Sequence, residues 1–167
     1  MPSVRVSRNR NDKTYFVTLT VNNWRYIFKD SQRRNILIEA LKYCIDNKQL
    51  RVFSYVVMFN HIHLIICSPD VAGFIRDFKK HTSFQLMENL KLDNPRIAKK
   101  FYNGSGNYSI WKKTNFPKLI ETKYYFEQKR AYIENNPVRK GYVRRPEQWK
   151  YSSASTFCEL PITRNPE

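Results

Sequence analysis

His61 and His63 lie one residue apart in the run Val57-Met58-Phe59-Asn60-His61-Ile62-His63-Leu64-Ile65-Ile66, and the chain has only three histidines. The aliphatic residues around them read as a buried strand. Side chains of a strand alternate faces, so both imidazoles point the same way, about 7 Å apart along the strand. Two imidazoles so placed can hold one divalent metal ion, with a third ligand drawn from elsewhere. Asn60, a polar residue in an apolar context, stands immediately before the pair. A metal at the edge of a buried sheet in a strongly basic chain points to chemistry on a phosphodiester.

A second constellation is Arg130-Ala131-Tyr132-Ile133-Glu134-Asn135-Asn136-Pro137-Val138. On a helix, Tyr132 and Asn136 share a face one turn apart, so a phenol and a carboxamide converge. The same residues also fit a core aromatic and a helix stop before Pro137. With eleven tyrosines in the chain, periodicity selects none as a nucleophile.

A third feature is charge. Thirty Lys and Arg stand against fourteen Asp and Glu, a net charge of +16, which points to nucleic acid as the partner. One basic set is Lys129, Arg130, Arg139, Lys140, Arg144 and Arg145; another is Lys79, Lys80, Lys99, Lys100, Lys112 and Lys113. His81 reads as a surface or phosphate-contacting residue beside Lys79 and Lys80. Interleaving with Trp111, Trp149, Tyr102 and Tyr108 suggests a groove that tracks a phosphate backbone and stacks bases. The expected DNA contacts are Lys112, Lys113, Arg139, Lys140, Arg144 and Arg145. No run approaches the roughly 18–20 apolar residues of a spanning helix, and Met1-Pro2-Ser3-Val4-Arg5 lacks a signal-peptide core. Cys44, Cys67 and Cys158 are widely spaced, without zinc spacing or a disulfide framework, and read as buried thiols in a reducing compartment.

The elements that must position these groups follow from pattern. A basic lead-in (Arg5, Arg8, Arg10, Lys13) precedes a strand at about 14–21. Asp30 or Ser31 caps a helix to about 47, and strands follow at about 51–59 and 61–68, joined at Asn60. Asp70 starts a second helix to about 92, with Phe74, Ile75, Phe78, Phe84 and Met87 as its apolar side. Residues 91–108 read as a loop, with a strand or two within 108–121. Thr122 caps a third helix that Pro137 ends. Trp149, Tyr151 and Phe157 fold the tail back on the sheet. This order predicts an α+β, ferredoxin-like sandwich: an antiparallel sheet with helices packed on one face. One domain is expected over 1–167, with a lead-in at 1–13 and a tail from about 154.

Two motifs taken together resemble a known family. Tyr55-Val56-Val57-Met58-Phe59-Asn60-His61-Ile62-His63-Leu64 is similar to the histidine–hydrophobic–histidine (HUH) strand of the IS200-like, single-tyrosine (Y1) transposases. Tyr132-Ile133, Asn136-Pro137-Val138, Gly141-Tyr142-Val143, Trp149 and Ser152-Ser153 resemble the C-terminal signature of the REP-associated tyrosine transposase branch. The resemblance spans about 14–153. Phe59 departs from the proline usual before the Asn-His pair, and Lys118 stands where the family often has a histidine. Carried over, the resemblance implies Tyr132 as nucleophile, His61 and His63 as metal ligands, and Asn136 as a third, amide ligand. It implies Mg²⁺ or Mn²⁺ as cofactor, single-stranded or hairpin DNA as partner, a monomer rather than a homodimer, and a bacterial, cytoplasmic protein that joins the nucleoid on DNA.

The implied activity is that of a metal-dependent single-stranded DNA endonuclease and strand transferase acting on hairpin-containing repeats. A free tyrosine has a pKa near 10, so charge neutralisation on the scissile phosphate makes attack by so weak a nucleophile feasible. Attack gives a 5′-phosphotyrosine and frees a 3′-hydroxyl that can reverse the step. Two alternatives stand beside it: a non-catalytic nucleic-acid-binding module on the same fold, and a replication-initiator or relaxase-type HUH nuclease.

Overall fold

The computed structural model describes residues 13–164 and 166. The lead-in residues Arg5, Arg8 and Arg10 lie outside the described residues.

Among the described residues four strands form the sheet: β1 (Thr14–Thr20), β2 (Arg51–Val57), β3 (His61–Cys67) and β4 (Lys118–Ile120), in the order β2-β3-β1-β4. All three pairings are antiparallel. With helices α1 (Ser31–Asn47) and α2 (Val71–Asp93) between strands, this is the predicted ferredoxin-like order, and the α+β class holds. The helix starts follow the expected chemistry. The Asp30 side chain accepts from the Gln32 N–H, Asp70 from Gly73 and Thr122 from Tyr125.

Both faces of the sheet are covered, which corrects the expectation of helices on one face only. Paired residues of antiparallel strands project to the same side. Trp111 bridges Val21, so it shares the side of Val17 and Leu19, and its indole N–H donates to Thr82 on α2 at 2.9 Å. That layer holds α2 with α1 packed on it. The opposite face carries His61 and His63 and is covered by α4 (Lys123–Glu134), whose Tyr132 and Phe126 meet His63 and Phe53. Continuous apolar strands such as His61–Cys67, buried at every position after the first, reflect that two-sided cover.

Several local expectations change. Phe84 on α2 is 55% exposed; Leu86 and Leu90 turn inward instead. A short helix, α3 (Pro95–Lys99), interrupts the expected loop of 91–108, capped by the Asn94 side chain. Pro137 does not end the helical path. It lies in the first turn of α5 (Asn136–Arg139), where a missing N–H costs no hydrogen bond. Trp111 and Trp149 are buried, and the Trp149 N–H donates to Val57 O, so neither is a stacking platform. The tail packs back as expected through Trp149 and Tyr151, with Ser152 bridging Val56 on the outer edge of β2, while Phe157 stays exposed. Cys67 is buried, whereas Cys44 and Cys158 are only half-buried.

Candidate active site

The β2–β3 hairpin presents the histidines. The Met58 N–H donates to His61 O at 2.8 Å and closes a turn over Phe59 and Asn60. Phe59, where the family usually has proline, is held by packing: its ring lies 4.5 Å from Tyr142 and 5.6 Å from Trp149. The C-terminal signature thus braces the turn that precedes His61.

The register of β1 completes the histidine surroundings. Thr18 pairs with His63 and Thr20 with His61. Thr18 Oγ1 lies 2.8 Å from His63 Nδ1, and Asn60 Oδ1 lies 2.6 Å from His61 Nδ1. An amide oxygen only accepts, so His61 carries its proton on Nδ1 and leaves the Nε2 lone pair available. Thr18 can play the same part for His63. The imidazole centroids are 4.6 Å apart. Phe16 stacks on His63 at 5.4 Å and fixes its plane.

Tyr132 reaches this face from α4. Its ring meets His63 edge-on at 5.4 Å and Phe16 at 6.1 Å. Its neighbour Ile133 is fully buried and anchors the helix, while Tyr132 itself remains 40% exposed. A nucleophile needs that combination of a fixed ring and an open approach. Asn136 follows at the start of α5 and is buried.

Cations surround the cluster. The Arg139 guanidinium lies over the Tyr132 ring at 4.2 Å, and its Nη2 donates to Tyr132 O at 3.1 Å. Lys129 Nζ lies 4.8 Å from the Phe16 ring centre and 5.5 Å from that of Tyr132. Burial pulls His61 down to about 4, with the Lys140 cation adding to the effect. Burial also holds His63 well below the ordinary histidine range, assisted by His61, Arg139 and Lys129. Both imidazoles are therefore neutral near pH 7, the form that ligates a metal.

Neutral imidazoles with their Nδ1 atoms engaged make nitrogen donors that fit a divalent ion. Among the described residues no group of three or more His, Cys, Asp or Glu could hold a metal ion, so an amide, a phosphate oxygen or water must complete the shell.

The fold thus gathers His61, His63, Tyr132, Arg139 and Lys140 on one face of the sheet, with Asn136 buried one helical turn beyond Tyr132. The other expected DNA contacts are spread more widely. Lys112 lies over the Trp24 ring, Lys113 and Arg144 are exposed, and Arg145 pairs with Glu147 at 3.2 Å. His81 is exposed on α2. Lys118 is exposed in register with Phe16, on the histidine face. Sequence reasoning missed Thr18 and Phe16, which only the β1–β3 register reveals. It also left Lys129 undistinguished within a basic run; its place one turn before Tyr132 and Ile133 was the available signal.

Comparison with known proteins gives the fold and the family. A search of curated proteins finds no match. The described fold is similar to the solved structure of a REP-associated tyrosine transposase bound to a REP hairpin, with a TM-score of 0.69 and 20% sequence identity over 92% of this chain and 82% of the other. No described helix is long and apolar enough to cross a membrane. The family model described as "Transposase IS200 like" matches residues 10–136, a span that takes in both histidines, the tyrosine and Asn136, and the chain belongs to this IS200-like transposase family.

Proposed function

We propose that this chain is a single-tyrosine DNA strand transferase that cuts and rejoins single-stranded DNA beside a hairpin. The observation that carries this reading is Tyr132, half-exposed on a packed helix with its ring 5.4 Å from His63, between the cations of Arg139 and Lys129. The structure of the similar transposase with its REP hairpin supports hairpin-containing repeats as the substrate class.

In this reading His61 and His63, with Asn136 as an amide ligand, would hold Mg²⁺ or Mn²⁺. The ion, when bound, neutralises charge on the scissile phosphate. Asn60 and Thr18 hold the imidazoles in the ligating tautomer. Arg139 and Lys129 attract and position the phosphodiester. Tyr132 Oη gives up its proton to solvent and attacks phosphorus, forming the Tyr–O–P bond. The bond to the 3′-oxygen breaks, that oxygen takes up a proton, and the 5′ strand stays linked to the tyrosine. Reversal by a 3′-hydroxyl releases Tyr132 and joins strands without an external energy source. Arg139, Lys140, Lys112 and Lys113, with Arg144 and Arg145, supply phosphate contacts. One domain carries out the reaction, acting as a monomer on nucleoid DNA in a bacterial cytoplasm.

The test is a labelled single-stranded hairpin oligonucleotide incubated with the chain and Mn²⁺, then resolved under denaturing conditions. Wild type gives a covalent protein–DNA adduct. Tyr132→Phe removes one hydroxyl, keeps the ring, and binds the DNA without forming the adduct. An adduct with the phenylalanine variant would refute Tyr132 as the nucleophile. Wild-type DNA binding with no adduct under any divalent metal would favour the non-catalytic module.

A further inference from the structure

The loop that follows β1 carries an indole that the core does not use. Trp24 is 62% exposed, whereas Trp111 and Trp149 are buried at 4% and 8%. Its backbone, with Asn23 before it, lies in the left-handed region (φ 51 and 56), where a bulky side chain is strained. The strain is held in place from below. Asn22 Nδ2 donates to Ser109 O at 2.8 Å and Trp111 O at 3.2 Å, and the Trp24 N–H donates to Val21 O at 3.0 Å. The result is a held backbone that turns the indole to solvent. The Lys112 ammonium lies 3.1 Å from its centroid.

The same loop is tied to the histidine edge. The Val21 N–H donates to Asn60 O at 2.9 Å. The Asn60 carboxamide spans the two sites, with Nδ2 donating to Trp24 O at 3.3 Å and Oδ1 meeting His61 Nδ1 at 2.6 Å. A single carboxamide thus separates the Trp24 backbone from the His61 imidazole.

We propose that Trp24 and Lys112 form a base-stacking subsite for an unpaired nucleobase flanking the scissile phosphodiester, with the indole stacking on the base and the ammonium on the adjacent phosphate. This rests on the proposed single-strand activity and adds to it a fixed anchoring point for the strand. Every base has a π-face, so the contact tolerates sequence and sets position instead. A duplex has no free base face to offer, so the subsite also selects for single strands.

The experiment uses the full chain and oligodeoxythymidine of twelve nucleotides, which forms no hairpin. Affinity is read by fluorescence anisotropy for wild type, Trp24→Ala and Trp24→Phe, and then with a single abasic residue moved along the strand. Loss of one stacked base predicts roughly a 5- to 150-fold weaker affinity for Trp24→Ala, with Trp24→Phe retaining most of it. The wild type loses affinity at one abasic position, and in Trp24→Ala that position costs nothing further. A merely structural role for Trp24 would instead leave the abasic profile intact in the variant, and this overturns the subsite. Equal affinities for wild type and Trp24→Ala overturn it too, while leaving the adduct assay and the proposed function untouched. Failure of the wild type to bind the oligonucleotide at all also overturns the subsite, while the adduct assay on hairpin DNA decides the proposed function separately.

Discussion

Asn60→Ala tests whether the histidines are held as ligands or merely packed. In the wild type the carboxamide oxygen is 2.6 Å from His61 Nδ1, so it fixes the ring and keeps the proton away from Nε2. Alanine removes that acceptor and leaves the imidazole free to rotate and change tautomer. Loss of such an outer partner of a metal ligand costs roughly 10–100-fold in affinity, or ~1.4–2.7 kcal/mol. The change also removes the bond from Asn60 Nδ2 to Trp24 O, worth about 0.5–1.5 kcal/mol of stability. Thr18→Val is the companion, because it deprives His63 Nδ1 of its partner at 2.8 Å without touching the Trp24 loop. The assay is Mn²⁺ titration of the DNA-free chain, with unbound ion counted by electron paramagnetic resonance and folding checked by thermal melts. Both variants are expected to bind Mn²⁺ more weakly by that factor, with Asn60→Asp recovering most of the loss through its carboxylate oxygen. Unchanged Mn²⁺ affinity in folded Asn60→Ala and Thr18→Val would refute the claim that these hydrogen bonds prepare a metal site.

Two further outcomes follow from charge and burial. Arg139 and Lys140 both act electrostatically on the histidines, so replacing the pair by alanine should flatten the log–log salt dependence of single-strand binding by roughly 1.4, about 0.7 for each phosphate no longer neutralised, without reordering preference among hairpins; superimposable salt series would place both side chains away from the DNA. Burial lowers Lys79 from 10.5 to about 8, so between those values the unfolded chain holds more protons than the folded one and stability rises with pH; urea midpoints at the two ends of that window should show a rise that Lys79→Met lacks, and an equal rise in both would show that this ammonium is not desolvated.

What the sequence made legible was whatever period or chemistry marks locally. The strand at His61–Cys67 announces itself by an apolar run, and the caps at Asp30, Asp70 and Thr122 by residue type before a periodic segment. The pairing of Tyr132 with the histidines was reached only through the family resemblance, because helical spacing places Tyr132 beside Asn136 and says nothing of the sheet. The roles of the tryptophans were read only in part: Trp149 packs the tail on the sheet as expected, but neither it nor Trp111 is the stacking platform the basic context suggested. Trp111 and Trp149 sit among basic residues in the sequence yet point inward, since tertiary partners at Thr82 and Val57 satisfy their N–H groups. Trp24 has no periodic neighbours, and its exposure follows from a left-handed turn that no composition signal marks. The face covered by α4 was missed for a related reason. A strand buried on both sides reads as uniformly apolar, and it does not say which helix supplies the second cover.

The charges around the site make a physical argument about order of assembly. The charged groups that shift the histidines are Lys140, Arg139 and Lys129, all cations. Alone, they oppose the arrival of a divalent ion at His61 and His63, and the neutral ligands proposed there offer no charge to offset it. A phosphodiester entering the same edge reverses the balance. Its negative charge is attracted by Arg139 and Lys129, supplies oxygen ligands, and lowers the potential that the metal meets. Metal and strand are then linked thermodynamically, each raising the other's affinity by the same factor. A site built this way is weakly charged with metal until single-stranded DNA is seated against Tyr132. If the chain acts as proposed, control of cleavage would then lie in substrate binding and not in metal supply, and neutral ligands would release the ion where a cluster of carboxylates would hold it.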